Sequence, residues 1–228
     1  MLQQRLDQVE AKLAKAALRA GRRREDITLI AVTKKFPAAV IQEAYQLGLR
    51  DFGENYVQEF ETKSPDCAGL EGARFHLIGH LQSNKTAKAL ELFQVIQTVD
   101  SPKLARRLAE HSERSRGPLE IMRIEILIEV KLSPEESKVG APPEHLPELI
   151  ETIRRLPNLT LLGLMTMPPW SDDQEQTRPY FIRLRKLAEQ HGLSQLSMGM
   201  SHDLEAAIEE GATMVRVGTG LFGPRPKP

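Results

Sequence analysis

The chain has 228 residues, 40% hydrophobic and 27% charged, with Lys+Arg and Asp+Glu balanced at 31 each. That length buries a sizeable core and suits an α/β barrel built as one domain, and the charge balance gives no sign of a nucleic-acid or membrane-surface binder. The single cysteine, Cys67, excludes an intrachain disulfide and a thiolate metal cluster; it reads as a loop thiol and suits a reducing compartment, the cytoplasm.

In chain order, the opening "MLQQRLDQVEAKLAKAALRAGRRRED" lacks the uninterrupted apolar core of a signal peptide. Leu2, Leu6, Val9, Leu13, Ala17 and Leu18 recur at helical spacing, which predicts an N-terminal helix over 1–20 with Gly21 as C-cap. Arg22, Arg23 and Arg24 read as a solvated face complementing the helix dipole, with phosphate binding as the alternative. A strand over 27–32 leads to a helix over 38–48, a strand over 50–53 to a helix over 56–63, and a strand over 74–79 to a helix over 83–93. Ser83 stands as the N-cap of the last of these. A strand over 95–99 precedes a helix over 101–115, with Ser101 as N-cap and Pro102 in the first helical position. Strands over 121–130, 159–167 and 196–200 alternate with helices over 144–156, 172–192 (bent at Pro179) and 203–211. A last strand over 214–218 precedes the Pro-rich tail "GPRPKP", expected to fray over 224–228. No apolar run is long enough to span a membrane.

Eight strands, each but the last followed by a helix, argue for parallel pairing and a closed (β/α)₈ TIM barrel as a single domain over 1–228. An open doubly wound sheet is the alternative, though no Gly-rich nucleotide fingerprint follows the first strand.

In such a barrel chemistry gathers at the C-terminal ends of the strands. The first strand, in "LIAVTKKFP", delivers Lys34 and Lys35 there. These are either solvated strand-end lysines or an amine held to react with a carbonyl. Glu54 and Asn55 follow the second strand, His80 the third, Ser201 the seventh, and Gly218 and Thr219 the eighth. Gly, Ser and Thr after strands seven and eight suit a backbone phosphate cradle, which closure of the barrel would set beside the amine. In isolation Ser201 reads first as the cap of the helix behind it, with the phosphate cradle as the alternative. Arg216, between Val215 and Val217, needs a partner if buried: a core carboxylate or a ligand. No second His or Cys at ligand spacing accompanies His80, so no metal is expected.

The segments "LIAVTKKFP", "FGENYVQE", "FHLIGHLQSNK", "GLMTMPP" and "LSMGMSHDLEAAIEEGATMVRVGTGLFG" resemble, in order and over nearly the whole chain, the YggS/PROSC family of pyridoxal 5′-phosphate (PLP)-binding proteins. The resemblance implies the barrel of the N-terminal domain of alanine racemase, PLP fold type III. It implies a role in vitamin B6 and amino- and keto-acid homeostasis, without established turnover. Carried over by residue, it makes Lys34 the Schiff-base lysine and turns Lys35 outward, a separation that strand alternation supports. It sets Asn55 near the pyridine ring and its phenolic oxygen. Ser201, Gly218 and Thr219 fall at the phosphate, with Met200 packed close by, and Arg216 faces the pyridine nitrogen. The sequence departs from the family pattern at His202 and at Lys131.

An ammonium is no nucleophile, and burial with a nearby cation such as Arg216 lowers a lysine's pKa. An arginine can only donate, so it leaves a pyridine nitrogen unprotonated and the ring a poorer electron sink. Three functions follow. One is a PLP-binding protein with no catalytic residues, its partners PLP and amino acids rather than nucleic acid or membrane. Another is an amino-acid racemase, which needs a second base. Tyr56 is the candidate among Tyr45, Tyr56 and Tyr180. The third is a Schiff-base aldolase using Glu54 or His80 as acid or base. Racemase relatives dimerise through a domain beyond the last strand here, so a monomer is expected.

Overall fold

The computed structural model describes residues 1–114, 123–135 and 139–224. Its eight strands are β1 (Thr28–Val32), β2 (Asp51–Glu54), β3 (Arg74–Leu77), β4 (Val95–Val99), β5 (Ile124–Glu129), β6 (Leu159–Met165), β7 (Gln195–Met200) and β8 (Met214–Val217). They pair in sequence order, all parallel, and close where Ile30 of β1 lies opposite Arg216 of β8. The fold is a closed parallel α/β barrel, as the alternation of elements led one to expect, and not the open doubly wound alternative.

The helices are α1 (Leu2–Arg19), α2 (Ala38–Gln46), α3 (Val57–Lys63), α4 (Thr86–Leu92), α5 (Pro102–Arg114), α6 (Leu146–Arg154), α7 (Gln174–Gln190), α8 (Leu204–Glu209) and α9 (Thr219–Phe222). α1 precedes the barrel and packs against α8 and α9. It closes with Gly21 at φ +64°, where Arg22 N–H donates to the Ala17 carbonyl (2.9 Å) and Gly21 N–H to Leu18 (3.1 Å). That is the left-handed helix end glycine favours.

Strand alternation sorts the core into two layers. Leu29 and Ala31 join the large apolar layer between strands and helices, while Ile30 meets Val95, Leu127, Met165 and Met214 inside the barrel.

Several expectations are corrected. Leu18 is exposed; Ala16 takes its place on the buried face of α1. Ser83 does not cap α4. It opens a 3-10 turn over Ser83–Lys85, and its carbonyl accepts from the Thr86 hydroxyl at 3.0 Å. Cys67 is buried in the large core, with burial pushing its thiol up to about 11. The last strand is followed by a helix after all, the single turn α9. Ser101 does cap α5, accepting from Leu104 N–H at 3.3 Å. The expected starts of the fifth strand at 121–122, the helix end at 115 and the tail at 225–228 lie outside the described residues.

Candidate functional site

The strand ends surround a cavity of about 280 Å³. The structure brings all seven residues singled out in the sequence to its walls. Lys34 comes from the turn after β1, Asn55 from the end of β2, and Met200 with Ser201 from β7; Arg216, Gly218 and Thr219 come from β8 and the start of α9. Five further residues share the lining: Val32, Ile78, Met167, Trp170 and His202.

Lys34 reaches the cavity through a turn, and this corrects the expectation from strand alternation. β1 ends at Val32, and Phe36 N–H donates to the Thr33 carbonyl at 3.1 Å. Lys34 and Lys35 are the central residues of that turn. Lys35 adopts φ +65°, its N–H bonded to the Glu59 carboxylate, and its side chain is exposed. The left-handed backbone at Lys35, and not the pleat, separates the two amines.

Beneath this turn, outside the barrel wall, lies a buried ion pair. Glu54 Oε1 accepts from Lys63 Nζ at 2.9 Å and from the Thr33 hydroxyl at 2.8 Å, and Lys63 Nζ also meets Glu59 at 2.6 Å. Burial pushes the Glu54 carboxyl up, opposed by Lys63. Glu54 therefore braces the turn and does not line the cavity, nor does the exposed His80, which faces Asp100 at 3.8 Å.

Asn55 is set by a close backbone approach. A Cβ on Gly79 would lie 2.2 Å from the Asn55 carbonyl oxygen, so only glycine lets the end of β3 pass there. Asn55 Oδ1 is buried with no hydrogen-bond partner in the protein. An orphaned polar atom on a cavity wall fits a ligand that supplies the missing partner.

β7 reaches the site through a bulge. Met198 packs outward in the core, yet Met200, two residues on, lines the cavity. The pairing of β7 with β8 shifts between Ser197 and Met200, and Gly199 sits at φ +91°. The bulge turns the strand's last side chains inward. Ser201 does not cap α8: its hydroxyl accepts from Gly220 N–H at 3.2 Å, tying the β7 end to α9. Beside it His202 lies 3.4 Å from the buried Asp203 carboxylate, and its ring centroid is 6.0 Å from that of Trp170. Trp170 is 67% exposed at the mouth of the cavity. An exposed aromatic in the polar run "PPWSDD" was the available sequence signal for it.

Arg216 is buried inside the barrel, and no carboxylate among the described residues supplies its hydrogen bonds. Nη1 donates to the Ser197 hydroxyl at 2.7 Å and Nη2 to the Thr166 carbonyl at 2.8 Å, both neutral acceptors. Burial pushes its guanidinium down to about 10, with Asp203 and Glu129 opposing through space. The cavity floor thus carries a cation whose direct partners are uncharged. Lys131, by contrast, stands off the cavity, its backbone N–H bonded to Ala141 at 2.9 Å.

Tyr45 donates its hydroxyl to the Glu71 carbonyl at 2.9 Å, Tyr180 packs against the large core, and Tyr56 is exposed; none lines the cavity. Among the described residues no group of three or more His, Cys, Asp or Glu is arranged to hold a metal, and no helix is long and apolar enough to cross a membrane.

The family model for the alanine racemase N-terminal domain matches residues 5–226. The chain is 47% identical over 219 residues to a pyridoxal phosphate homeostasis protein of Pseudomonas aeruginosa, covering 95% of this chain and 93% of that one. Its fold is similar to that of PipY from Synechococcus elongatus, solved with PLP bound, at a TM-score of 0.85 and 36% identity over 98% of this chain and all of the other. An alanine racemase of Clostridium difficile shares the fold at a TM-score of 0.75 and 14% identity; 99% of this chain covers 57% of the racemase.

Proposed function

The chain belongs to the alanine racemase N-terminal domain family, and we propose that within it this protein binds PLP and serves its homeostasis, holding the cofactor as a Schiff base on Lys34 without catalytic turnover. The curated relatives named for PLP homeostasis and the PLP-bound PipY support the cofactor and the role. One observation carries the assignment of residues. The Lys34 amine shares a cavity with a buried guanidinium, an orphaned amide oxygen and the hydroxyls of Ser201 and Thr219.

PLP, when bound, supplies an aldehyde that condenses with amines and a pyridine ring able to draw electrons. Lys34 presents the amine. Ser201, Thr219 and the backbone at Gly218 receive the phosphate, and Met200 packs beside them. Asn55 offers its amide to the phenolic oxygen. Arg216, a pure donor, faces the ring nitrogen and leaves it unprotonated, which limits electron withdrawal and favours storage over carbanion chemistry. The three tyrosines stand off the cavity, so the second base a two-base racemase needs has no candidate among them. Glu54 and His80 stand off it too, which weighs against the aldolase.

The protein then acts as one barrel unit, a monomer in the cytoplasm, with PLP and amino acids as its small-molecule partners. The test is the visible spectrum of the purified protein before and after borohydride, with the reduced adduct located by peptide mass. A band that bleaches, with the label on Lys34 and lost in Lys34→Ala, is expected. A borohydride-fixed adduct retained in Lys34→Ala refutes the lysine; a colourless protein that gains no band with added PLP refutes the cofactor.

A further inference from the structure

The barrel interior, apolar in its central layer, is crossed by an unbroken line of polar side chains. It starts at the cavity floor with Arg216. Nη1 of Arg216 donates to Ser197 Oγ at 2.7 Å, Ser197 Oγ donates to Gln97 Oε1 at 2.6 Å, and Gln97 Nε2 lies 3.0 Å from His76 Nδ1. His76 Nε2 lies 2.8 Å from Asp51 Oδ1. Ser197, Gln97 and His76 are almost wholly buried. Asp51 is the first residue of β2, so the line ends at the face of the barrel opposite the cavity mouth, where its side chain is 20% exposed.

The chemistry of the two ends fixes the sense of every bond between them. A guanidinium only donates and a carboxylate only accepts. Ser197 Oγ must therefore accept from Arg216 and send its own proton to Gln97. A flipped Gln97 would point a second donor at that hydroxyl and leave the hydroxyl proton without an acceptor. Gln97 thus turns its oxygen to Ser197 and its Nε2–H to His76. His76 Nδ1 must then be a bare acceptor, and Nε2 carries the proton donated to Asp51. In a low-dielectric interior, bonds aligned in one sense polarise one another.

We propose that Ser197, Gln97, His76 and Asp51 are positioning residues that act through Arg216: a one-way hydrogen-bond relay that aims the guanidinium at the cavity and backs its charge with a carboxylate on the far face. Arg216 otherwise has a hydroxyl and a peptide carbonyl as its hydrogen-bond partners, with Asp203 and Glu129 acting only through space. The relay explains why four polar side chains from β2, β3, β4 and β7 occupy inward positions of a buried barrel, where apolar residues would pack at lower cost. Its effect on bound PLP rests on the function proposed above; its hydrogen-bond sense does not.

The first arm of the test needs no ligand. The ¹⁵N resonances of His76 in the purified protein are expected to show a bare Nδ1 and a protonated Nε2. Gln97→Glu, which puts a second acceptor in the line, is expected to move a proton onto Nδ1. A protonated Nδ1 in the unsubstituted protein, or a Gln97→Glu variant whose Nδ1 stays bare, overturns the relay. The second arm measures PLP retention in Ser197→Ala and in Gln97→Met, the latter a site that does not line the cavity. Retention is expected to weaken about fivefold in each, with a displaced absorption band. Unchanged retention and spectrum in both variants, with the fold intact, overturn the positioning role. If the unsubstituted protein takes up no PLP, the function proposed above fails, and the His76 arm alone decides the relay.

Discussion

The ammonium of Lys63 donates to the backbone carbonyl of Thr33 at 3.1 Å, so a residue on α3, outside the barrel wall, fixes the peptide immediately before Lys34. The same ammonium is the partner of the buried Glu54. Position and charge at the mouth of the cavity are thus set from behind the strand.

Lys63→Met should therefore be costly. It leaves the buried Glu54 carboxylate without its cation, a loss of about 3 kcal/mol in urea unfolding at neutral pH. The pH dependence has a definite sign. A carboxyl raised in the folded state favours folding below its unfolded value, and that contribution is lost as pH rises through the folded value. Burial already raises Glu54 and Lys63 opposes it. Without Lys63 only the hydrogen bond from Thr33 opposes the rise, so the variant should regain stability as pH is lowered toward the carboxylate range. A deficit that does not shrink on acidification would mean that Lys63 contributes by packing alone.

Lys35→Gly tests the other lysine. Lys35 holds a left-handed backbone that glycine adopts without strain. The variant should be as stable as the parent or up to about 1 kcal/mol more stable, and a borohydride-fixed PLP adduct should persist. Loss of the adduct would give Lys35 a part in the site that its exposed side chain does not suggest.

Ser201→Ala and Thr219→Ala should each speed PLP release about tenfold, the worth of one hydrogen bond to a charged group, while leaving borohydride trapping possible. Release rates by dilution into a PLP scavenger measure this. Unaltered rates in both would move the phosphate elsewhere.

A surface network joins α1, α7 and α8: Arg178 meets Glu209 at 2.8 Å and Glu210 at 3.0 Å, and Arg19 meets Glu209 at 2.6 Å. The hydrogen bond from Arg178 is the largest influence on the Glu209 carboxyl; burial opposes it, and with the added hydrogen bond from Arg19 the carboxyl is held below its usual range. A carboxyl lowered in the folded state stabilises above its unfolded value and loses that contribution as pH falls through the folded one. Arg178→Ala should cost about 1 kcal/mol at neutral pH and low salt. The gap to the parent should close in high salt and at acid pH; a gap indifferent to both would make Arg178 a packing residue.

The barrel was legible because its signal is redundant. "VIQTV" ends at residues 95 and 99 in sequence and structure alike, and eight such runs alternating with amphipathic stretches admit few arrangements. The seven residues placed at the site depended on the family resemblance as well as on strand ends. Local chemistry was less legible. Ser83 has the composition of a cap, but a 3-10 turn takes the helix start from it. Lys34 and Lys35 look like neighbours in a pleat until the positive φ of Lys35 is known. His202 lies in the turn after β7, where nothing in one sequence separates a cavity wall from a solvated loop. The relay leaves a trace in the sequence: Gln97 and Ser197 sit inside strands that the barrel buries, and a buried polar side chain must have a partner.

Lys34 follows β1 and Arg216 belongs to β8, strands that become neighbours only when the sheet closes on itself. The cavity therefore does not exist in any partly wound form of the chain. During synthesis its amine emerges long before its floor, and for that interval Lys34 is an ordinary lysine without Arg216 to steer a ligand. Capture of the cofactor is a property of the finished ring. A ligand that binds only there favours the closed barrel over every open form, so occupancy doubles as a seal on the last seam to be sewn.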